Sequence, residues 1–362
     1  MKTEIKVLKA LYGDCILIKS FDTEGNPYNI LIDGGPTKAF QYALKQELKD
    51  ILVIHLLILT HIDSDHIGGF IRFFKSSMFD KIEIKKYWFN GPNLLRISYS
   101  NKISYNQGKT LEELLLQKNE PKEKWKDQIY YTGNELELCK GINCKVLSPT
   151  KDVLESLYKN WPEVAKETVQ KSEEVPISSN TPSQISKGDL DQLAKLSFKP
   201  SKKIDKDLAN GSSIAFILEL PDTSILLLGD ARAEIIESAL RNLKYSEKNP
   251  IQVEYVKVSH HGSMNNTSCA MLDLIDSQHF IISTNGGSGR SRHPNREVIA
   301  RILFHSNRDF KKKRTIYFNY PLNHIQSRSG KFIEDNDLKN GNWTFVDLTN
   351  SLVPLTHNSE NL

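Results

Sequence analysis

Leu56-Leu57-Ile58-Leu59-Thr60-His61-Ile62-Asp63-Ser64-Asp65-His66-Ile67-Gly68-Gly69 crowds two imidazoles and two carboxylates into six positions directly behind an unbroken apolar run. The run from Ile54 to Leu59 has the length and β-branched content of a buried strand. The polar group therefore leaves the carboxyl end of that strand, where ligand sites of layered α/β proteins gather. Histidine and aspartate together suit a borderline or hard divalent cation. The competing reading is an acidic turn that happens to carry histidines.

Other blocks lie in order along the chain. Tyr12-Gly13-Asp14-Cys15-Ile16-Leu17-Ile18 and Ile30-Leu31-Ile32-Asp33-Gly34-Gly35 precede the central stretch. Asn210-Gly211-Ser212-Ser213-Ile214, Ile225-Leu226-Leu227-Leu228-Gly229-Asp230 and Val256-Lys257-Val258-Ser259-His260-His261-Gly262-Ser263 follow it, and a last block runs from Ser283 to His293-Pro294. Taken with His61-x-Asp63-x-Asp65-His66, this series resembles the metallo-β-lactamase-fold metallohydrolases. It is most similar to their ComEC-like branch, in which Asp63 stands where a second histidine is common.

The resemblance implies an αββα sandwich: two mixed β-sheets back to back with helices outside, in one α/β domain spanning residues 1–362. It also implies one or two divalent ions, zinc or manganese with magnesium as a further candidate. His61 and Asp63 would serve the first ion, Asp65 and His66 the second, with Asp230 bridging. His261, or its neighbour His260, would complete the set. Asp63 adds negative charge relative to histidine and moves the preference toward harder ions. Asp33 reads as an outer carboxylate orienting a ligand histidine, or as the start of a plain Asp-Gly-Gly turn. Asp65, Lys257 and His293 are the residues expected to carry chemistry. Lys257 would clamp a phosphate or assist a leaving group, against a solvated strand-end lysine; His293 would be a ligand, proton donor or phosphate contact, against an ordinary loop histidine. His55, His279, His305, His324 and His357 match no motif.

Composition sets the outer limits. The formal net charge of +4 is modest for 362 residues and is dispersed, which permits a phosphate-bearing partner without demanding one. Lys311-Lys312-Lys313-Arg314 is the one basic cluster and reads as a solvated turn. Four cysteines without a Cys-x-x-Cys spacing support neither a disulfide framework nor a structural zinc site. No stretch reaches the ~20 apolar residues of a bilayer span and the amino terminus lacks the apolar core of a secretion signal. The expected setting is therefore cytoplasmic, with no membrane contact.

Along the chain, Glu24-Gly25-Asn26-Pro27 predicts a hairpin between two alternating runs, and Ala39 to Leu48 an outer helix. A further helix is expected from Gly69 to Phe74, its amino terminus facing the site. Residues 91–209 read as a partly helical insertion or cap, and residues 165 to 188, poor in large apolar groups, as a loop within it. Strands and helices then alternate from Ser212 to Leu348. No aromatic-basic stacking stripe is visible in the sequence.

Three functions compete on these grounds. The first is a metal-dependent phosphodiesterase or nuclease acting on DNA or RNA. The second is a hydrolase of a small nucleotide, phosphate ester or acyl compound. The third is a non-catalytic metal-binding interaction module in a bacterial defence or DNA-processing system, with protein partners or a second copy of itself.

Overall fold

The computed structural model describes residues 2–91, 107–161, 186–202, 206–287 and 292–355. Its first sheet is five-stranded: β1 (Glu4–Val7), β2 (Ile16–Phe21), β3 (Pro27–Ile32), β4 (Val53–Ile58) and β5 (Glu83–Trp88), in that spatial order. β1 to β3 pair antiparallel, while β3, β4 and β5 run parallel, with Leu31 beside Leu57 and Ile32 beside Ile58. The predicted hairpin is therefore present as β2 and β3.

The second sheet is eight-stranded. In chain order it comprises β6 (Glu135–Cys139), β7 (Ile142–Ser148), β8 (Ala215–Leu220), β9 (Thr223–Leu227), β11 (Tyr255–Lys257), β13 (His279–Ile282), β14 (Arg314–Phe318) and β15 (Trp343–Asp347). β6 to β9 are antiparallel neighbours, and β9, β11, β13, β14 and β15 run parallel. A separate parallel pair, β10 (Ile251–Gln252) and β12 (Ile275–Asp276), lies beside it.

Three apolar clusters show how these sheets are layered. One combines Ile16, Ile18, Ile30, Leu56 and Trp88 of the first sheet with Cys144, Phe216, Leu218, Ile225 and Ile281 of the second, so it is the interior between them. The others lie on the outer faces. Leu17, Leu31 and Leu57 meet Phe70, Phe73 and Phe74 of the helix Ser64–Phe74 on one side. Ile217, Leu226 and Val256 meet Ile236 and Leu240 of the helix Ala233–Asn242, and Val298 and Ile302 of the helix Arg296–Phe304, on the other. Alternate residues of each strand thus serve inner and outer cores, and both sheet faces are buried. This is the expected αββα sandwich.

The insertion is tied into these layers wherever it is described. Leu111, Leu115, Trp125, Leu154 and Leu157 join the outer core of the first sheet, and Leu190 and Leu193 that of the second. β6 and β7 extend the second sheet. The described parts of the insertion therefore cover sheet faces and extend the second sheet. Residues 165–185 of the predicted loop lie outside the described residues, as does His357.

Two local expectations are corrected. Ala39 to Leu48 forms a short π-helix, Phe40–Leu44, running into a single α-turn, Lys45–Glu47. The helix expected from Gly69 begins five residues earlier, at Ser64 with Asp63 as N-cap, so Asp65 and His66 lie in its first turn. Gly68 and Gly69 weaken a helix by intrinsic propensity, but packing requires them here. A Cβ on Gly69 would meet the Gly34 carbonyl oxygen at 1.9 Å, and one on Gly68 the Thr37 nitrogen at 2.5 Å. The bare backbones instead bond across, Gly34 N–H to the His66 carbonyl at 2.7 Å and Gly69 N–H to the Gly35 carbonyl at 2.8 Å.

Candidate metal centre

Five parallel strands end on the same side of the sandwich. β3 delivers Asp33, β4 delivers His61, β9 delivers Asp230, β11 delivers His260 and His261, and β13 delivers Ser283. The two sheets are stitched here by Ile214 N–H donating to the Thr60 carbonyl at 2.9 Å, while the Asp230 N–H donates to Ser213 Oγ at 3.1 Å. Residues distant in sequence thus meet at the carboxyl edge, where α/β sheets hold ligands.

Four histidines are held by one ring nitrogen and turn the other inward. His66 Nδ1 lies 2.7 Å from Asp33 Oδ2, and His261 Nδ1 donates to the Ser283 carbonyl at 2.9 Å. His61 Nδ1 meets Thr60 Oγ1 at 3.1 Å, and His260 Nδ1 meets Asn266 Oδ1 at 3.2 Å. A carboxylate and a carbonyl only accept, so His66 and His261 carry hydrogen on Nδ1, and in the neutral ring Nε2 is a free lone pair.

The inward atoms face three carboxylates, Asp230, Asp65 and Asp63. Asp230 Oδ1 is 3.5 Å from His66 Nε2, and its Oδ2 is 3.9 Å from His61 Nε2 and 3.6 Å from His260 Nε2. Asp65 Oδ2 is 3.4 Å from His261 Nε2 and 3.9 Å from His66 Nε2, and Asp63 Oδ2 is 4.0 Å from His61 Nε2. His61, His66 and Asp230 form one triad of ligand atoms within 4.8 Å of one another, and Asp65, His66 and His261 form a second. The buried Nε2 atoms of His61, His66 and His261, and Oδ1 of Asp230, have no hydrogen-bond partner among the described residues. Leaving such atoms unpaired costs about 1–3 kcal/mol each, a cost that a coordinated cation removes. The donor set and its unpartnered atoms fit one or two divalent ions.

The charges point the same way. Burial, aided by His66, brings His61 down to about 4, so it is neutral at pH 7. Burial also opposes a charged His66, but the Asp230, Asp33 and Asp65 carboxylates outweigh it and hold this group well above its usual range. His261 is pushed to about 10 by Asp14 and Asp230 against the same burial. Desolvation would raise Asp65 and Asp230, yet the neighbouring histidines bring Asp65 down to about 2 and hold Asp230 well below the usual carboxylate range. The carboxylates thus favour protons on His66 and His261.

The remaining predicted residues are placed as follows. Asp33 takes φ of 56° and is fully engaged: Oδ1 accepts the Thr60 N–H at 2.8 Å, and Oδ2 accepts Thr60 Oγ1 at 2.7 Å beside His66. Lys257 is neither a solvated strand-end lysine nor open to a phosphate. Its side chain is 1% exposed and donates to Asp14, because β11 is an interior strand. His293 lies with its ring 5.4 Å from that of His260, and burial pushes it down to about 3. Ser212 donates to the Ala209 carbonyl at 2.7 Å, a local backbone bond. His55, His279 and His305 pair elsewhere, with Asn29, Glu254 and Asp273.

Sequence reasoning missed Asp14 and Asn266. Asp14 Oδ1 is 3.4 Å from His261 Nδ1 while its other oxygen takes the Lys257 ammonium. Asn266, besides meeting His260, donates through Nδ2 to the Asp230 carbonyl at 3.0 Å, joining the two loops. The Tyr12-Gly13-Asp14 block signalled the first; nothing in the sequence signalled the second. His260 and His261 both have positive φ, 47° and 55°. For non-glycine residues such backbone costs of order 1–3 kcal/mol each and gathers at functional sites.

Residues 8–133 match the family model of the metallo-beta-lactamase superfamily. No curated protein matches. Among solved structures, the metallo-beta-lactamase fold protein YhfI from Bacillus subtilis aligns at 8% identity over 96% of this chain and 95% of its own, with a TM-score of 0.40. Zn(2+)-bound PqqB from Methylobacterium extorquens aligns at 12% identity over 95% and 88%, also at 0.40. The layer order of the sandwich, together with the match over residues 8–133, makes this the metallo-β-lactamase fold. Among the described residues no helix is long and apolar enough to cross a membrane.

Proposed function

We propose that the protein is a metal-dependent hydrolase that cuts phosphate diesters, with DNA or RNA as the substrate class. The observation that carries the reading is the set of inward, unpartnered Nε2 atoms of His61, His66 and His261 around Asp65 and Asp230. In this reading His61, Asp63 and Asp230 would hold one cation, zinc or manganese before magnesium, and Asp65, His66 and His261 would hold a second. His260, 3.6 Å from Asp230, is a further ligand to the first. Divalent ions there would polarise a phosphoryl oxygen and lower the pKa of a water.

The chain supplies the rest. Asp33 fixes the His66 ring and Asn266 the His260 ring, the outer bonds that tune ligating histidines. The amino terminus of the helix Ser64–Phe74 presents backbone amides and the positive end of its dipole to an anionic substrate. His293, kept neutral by burial, contacts the phosphate through a ring nitrogen and is not the proton donor; its nearness to His260 and the absence of a partner for Nδ1 among the described residues support this role. Lys257 acts through Asp14 behind His261 and does not touch substrate. The spacing of His61-x-Asp63-x-Asp65-His66 and Lys257-x-x-His260-His261-Gly262-Ser263 supports placing the chain with ComEC-like nuclease domains.

The test is cleavage of single-stranded and duplex DNA and RNA with added manganese, zinc or magnesium, comparing wild type with Asp65→Ala. The variant should lose about 100-fold or more, since metal-centred charge stabilisation is worth several kcal/mol. Equal cleavage by both proteins overturns the proposal. Turnover of nucleotides or acyl esters, with no diester cut, transfers the site to the small-molecule reading.

A further inference from the structure

Away from the histidine cluster, a concavity of about 540 Å³ opens between the short π-helix and the carboxyl-terminal turn of the helix Ser64–Phe74. Lys38, Arg72 and Lys75 line it, together with Tyr42. The three cations are exposed, and no carboxylate among the described residues pairs with any of them. Tyr42 is 77% exposed, far more than a buried-face aromatic. A π-helical turn recurs at functional sites, and here it turns Tyr42 outward while Phe40 and Leu44 stay in the core.

The helix connects this patch to the metal centre. Asp65 and Arg72 are seven positions apart, so they share one face about 10 Å apart along the axis. Between them, Gly68 packs against Thr37, next to Lys38, and Gly13 lies against the Asp65 carbonyl, next to the 40% exposed Tyr12. Exposed Thr37 and Lys38 thus lie beside the same helix that carries Asp65 at its start and Arg72 near its end, with Lys75 and Tyr42 in the same concavity. At ~3.4 Å per nucleotide of a stacked strand, that axial distance is about three nucleotides.

We propose that Lys38, Arg72, Lys75 and Tyr42 form a secondary contact for single-stranded nucleic acid, holding phosphates and stacking one base a few nucleotides from the scissile bond. The inference rests on the phosphodiesterase reading and deepens it, naming a single strand as the preferred polymer. Cations that track a backbone beside an aromatic that takes a base are the chemistry of sequence-tolerant single-strand binding.

The test is fluorescence anisotropy of a labelled 20-nucleotide oligothymidylate with the metal-free protein in chelator, across a salt series, with inorganic phosphate as competitor. Each residue exchanged is exposed, so folding is spared. The triple variant Lys38→Gln, Arg72→Gln and Lys75→Gln should bind at least about tenfold more weakly, and the slope of log K against log salt should fall by about 2, at ~0.7 per phosphate. Tyr42→Ala should cost about tenfold with the slope unchanged. Both variants should hydrolyse bis(p-nitrophenyl) phosphate as wild type does, since that substrate is too short to reach the patch. Unchanged oligonucleotide affinity and slope in the triple variant overturn the inference, as does inorganic phosphate displacing the strand completely at low millimolar concentration. Oligonucleotide binding lost in the variants while wild type cuts no diester would leave the patch standing and remove the catalytic reading, so the two failures are distinct.

Discussion

Replacing Asp33 with Asn changes one proton's location and nothing about shape. The carboxylate accepts three hydrogen bonds, from Thr60 N–H, Thr60 Oγ1 and His66 Nδ1, at 2.8, 2.7 and 2.7 Å. An amide offers one accepting oxygen. If that oxygen keeps the Thr60 N–H, the amide nitrogen faces His66 Nδ1, which must then accept, and the imidazole proton moves to Nε2, where it blocks the inward lone pair. If the amide turns over, its nitrogen opposes the Thr60 N–H and one buried donor is left unpaired, at about 1–3 kcal/mol. Asn tolerates the positive φ of position 33, so the backbone itself is not penalised. Losing the partner of a ligating histidine weakens metal binding about 10–100-fold, which is about 1.4–2.8 kcal/mol. Chelator competition for manganese and zinc, with circular dichroism to confirm folding, measures this directly. A folded Asp33→Asn protein that holds metal within twofold of wild type would refute the idea that this carboxylate sets the His66 tautomer.

Two further expectations concern stability. Gly69→Ala drives a methyl group to 1.9 Å from the Gly34 carbonyl oxygen, backbone against backbone, so the helix must withdraw; the unfolding free energy from urea titration should fall by about 1–3 kcal/mol, the usual cost of overpacking. Lys257→Met strands a buried Asp14 charge and should cost about 3–5 kcal/mol. Pairing it with Asp14→Asn should recover much of that loss, and a double variant no better than the single would show that the pair contributes packing alone.

Much of this molecule is visible in local patterns. The apolar run ending at Leu59 announces a strand interior, and the polar cluster behind it announces what the strand end carries; both follow from nearest-neighbour chemistry. The Asp33 turn and the Gly229-Asp230 turn are legible for the same reason. What escapes is whatever depends on partners from elsewhere. The helix starts at Ser64 because Gly68 and Gly69 fit loop 34–37, a contact that intrinsic propensity contradicts. Lys257 and Asp14 are 243 positions apart, and a lysine at the end of a short apolar run gives no sign that its strand is an interior one. The patch around Tyr42 is likewise invisible in sequence, because two segments some thirty residues apart contribute to it.

The centre draws its side chains from both sheets' halves, the first contributing His61, Asp63, Asp65 and His66 and the second Asp230, His260 and His261. The triads His61–His66–Asp230 and Asp65–His66–His261 each take atoms from both halves. A cation bound there acts as a clasp across the sandwich, so loading it should slow the parting of the halves and delay proteolytic nicking. During synthesis, the site can close only after the ribosome has released His261, when most of the first sheet has long been waiting.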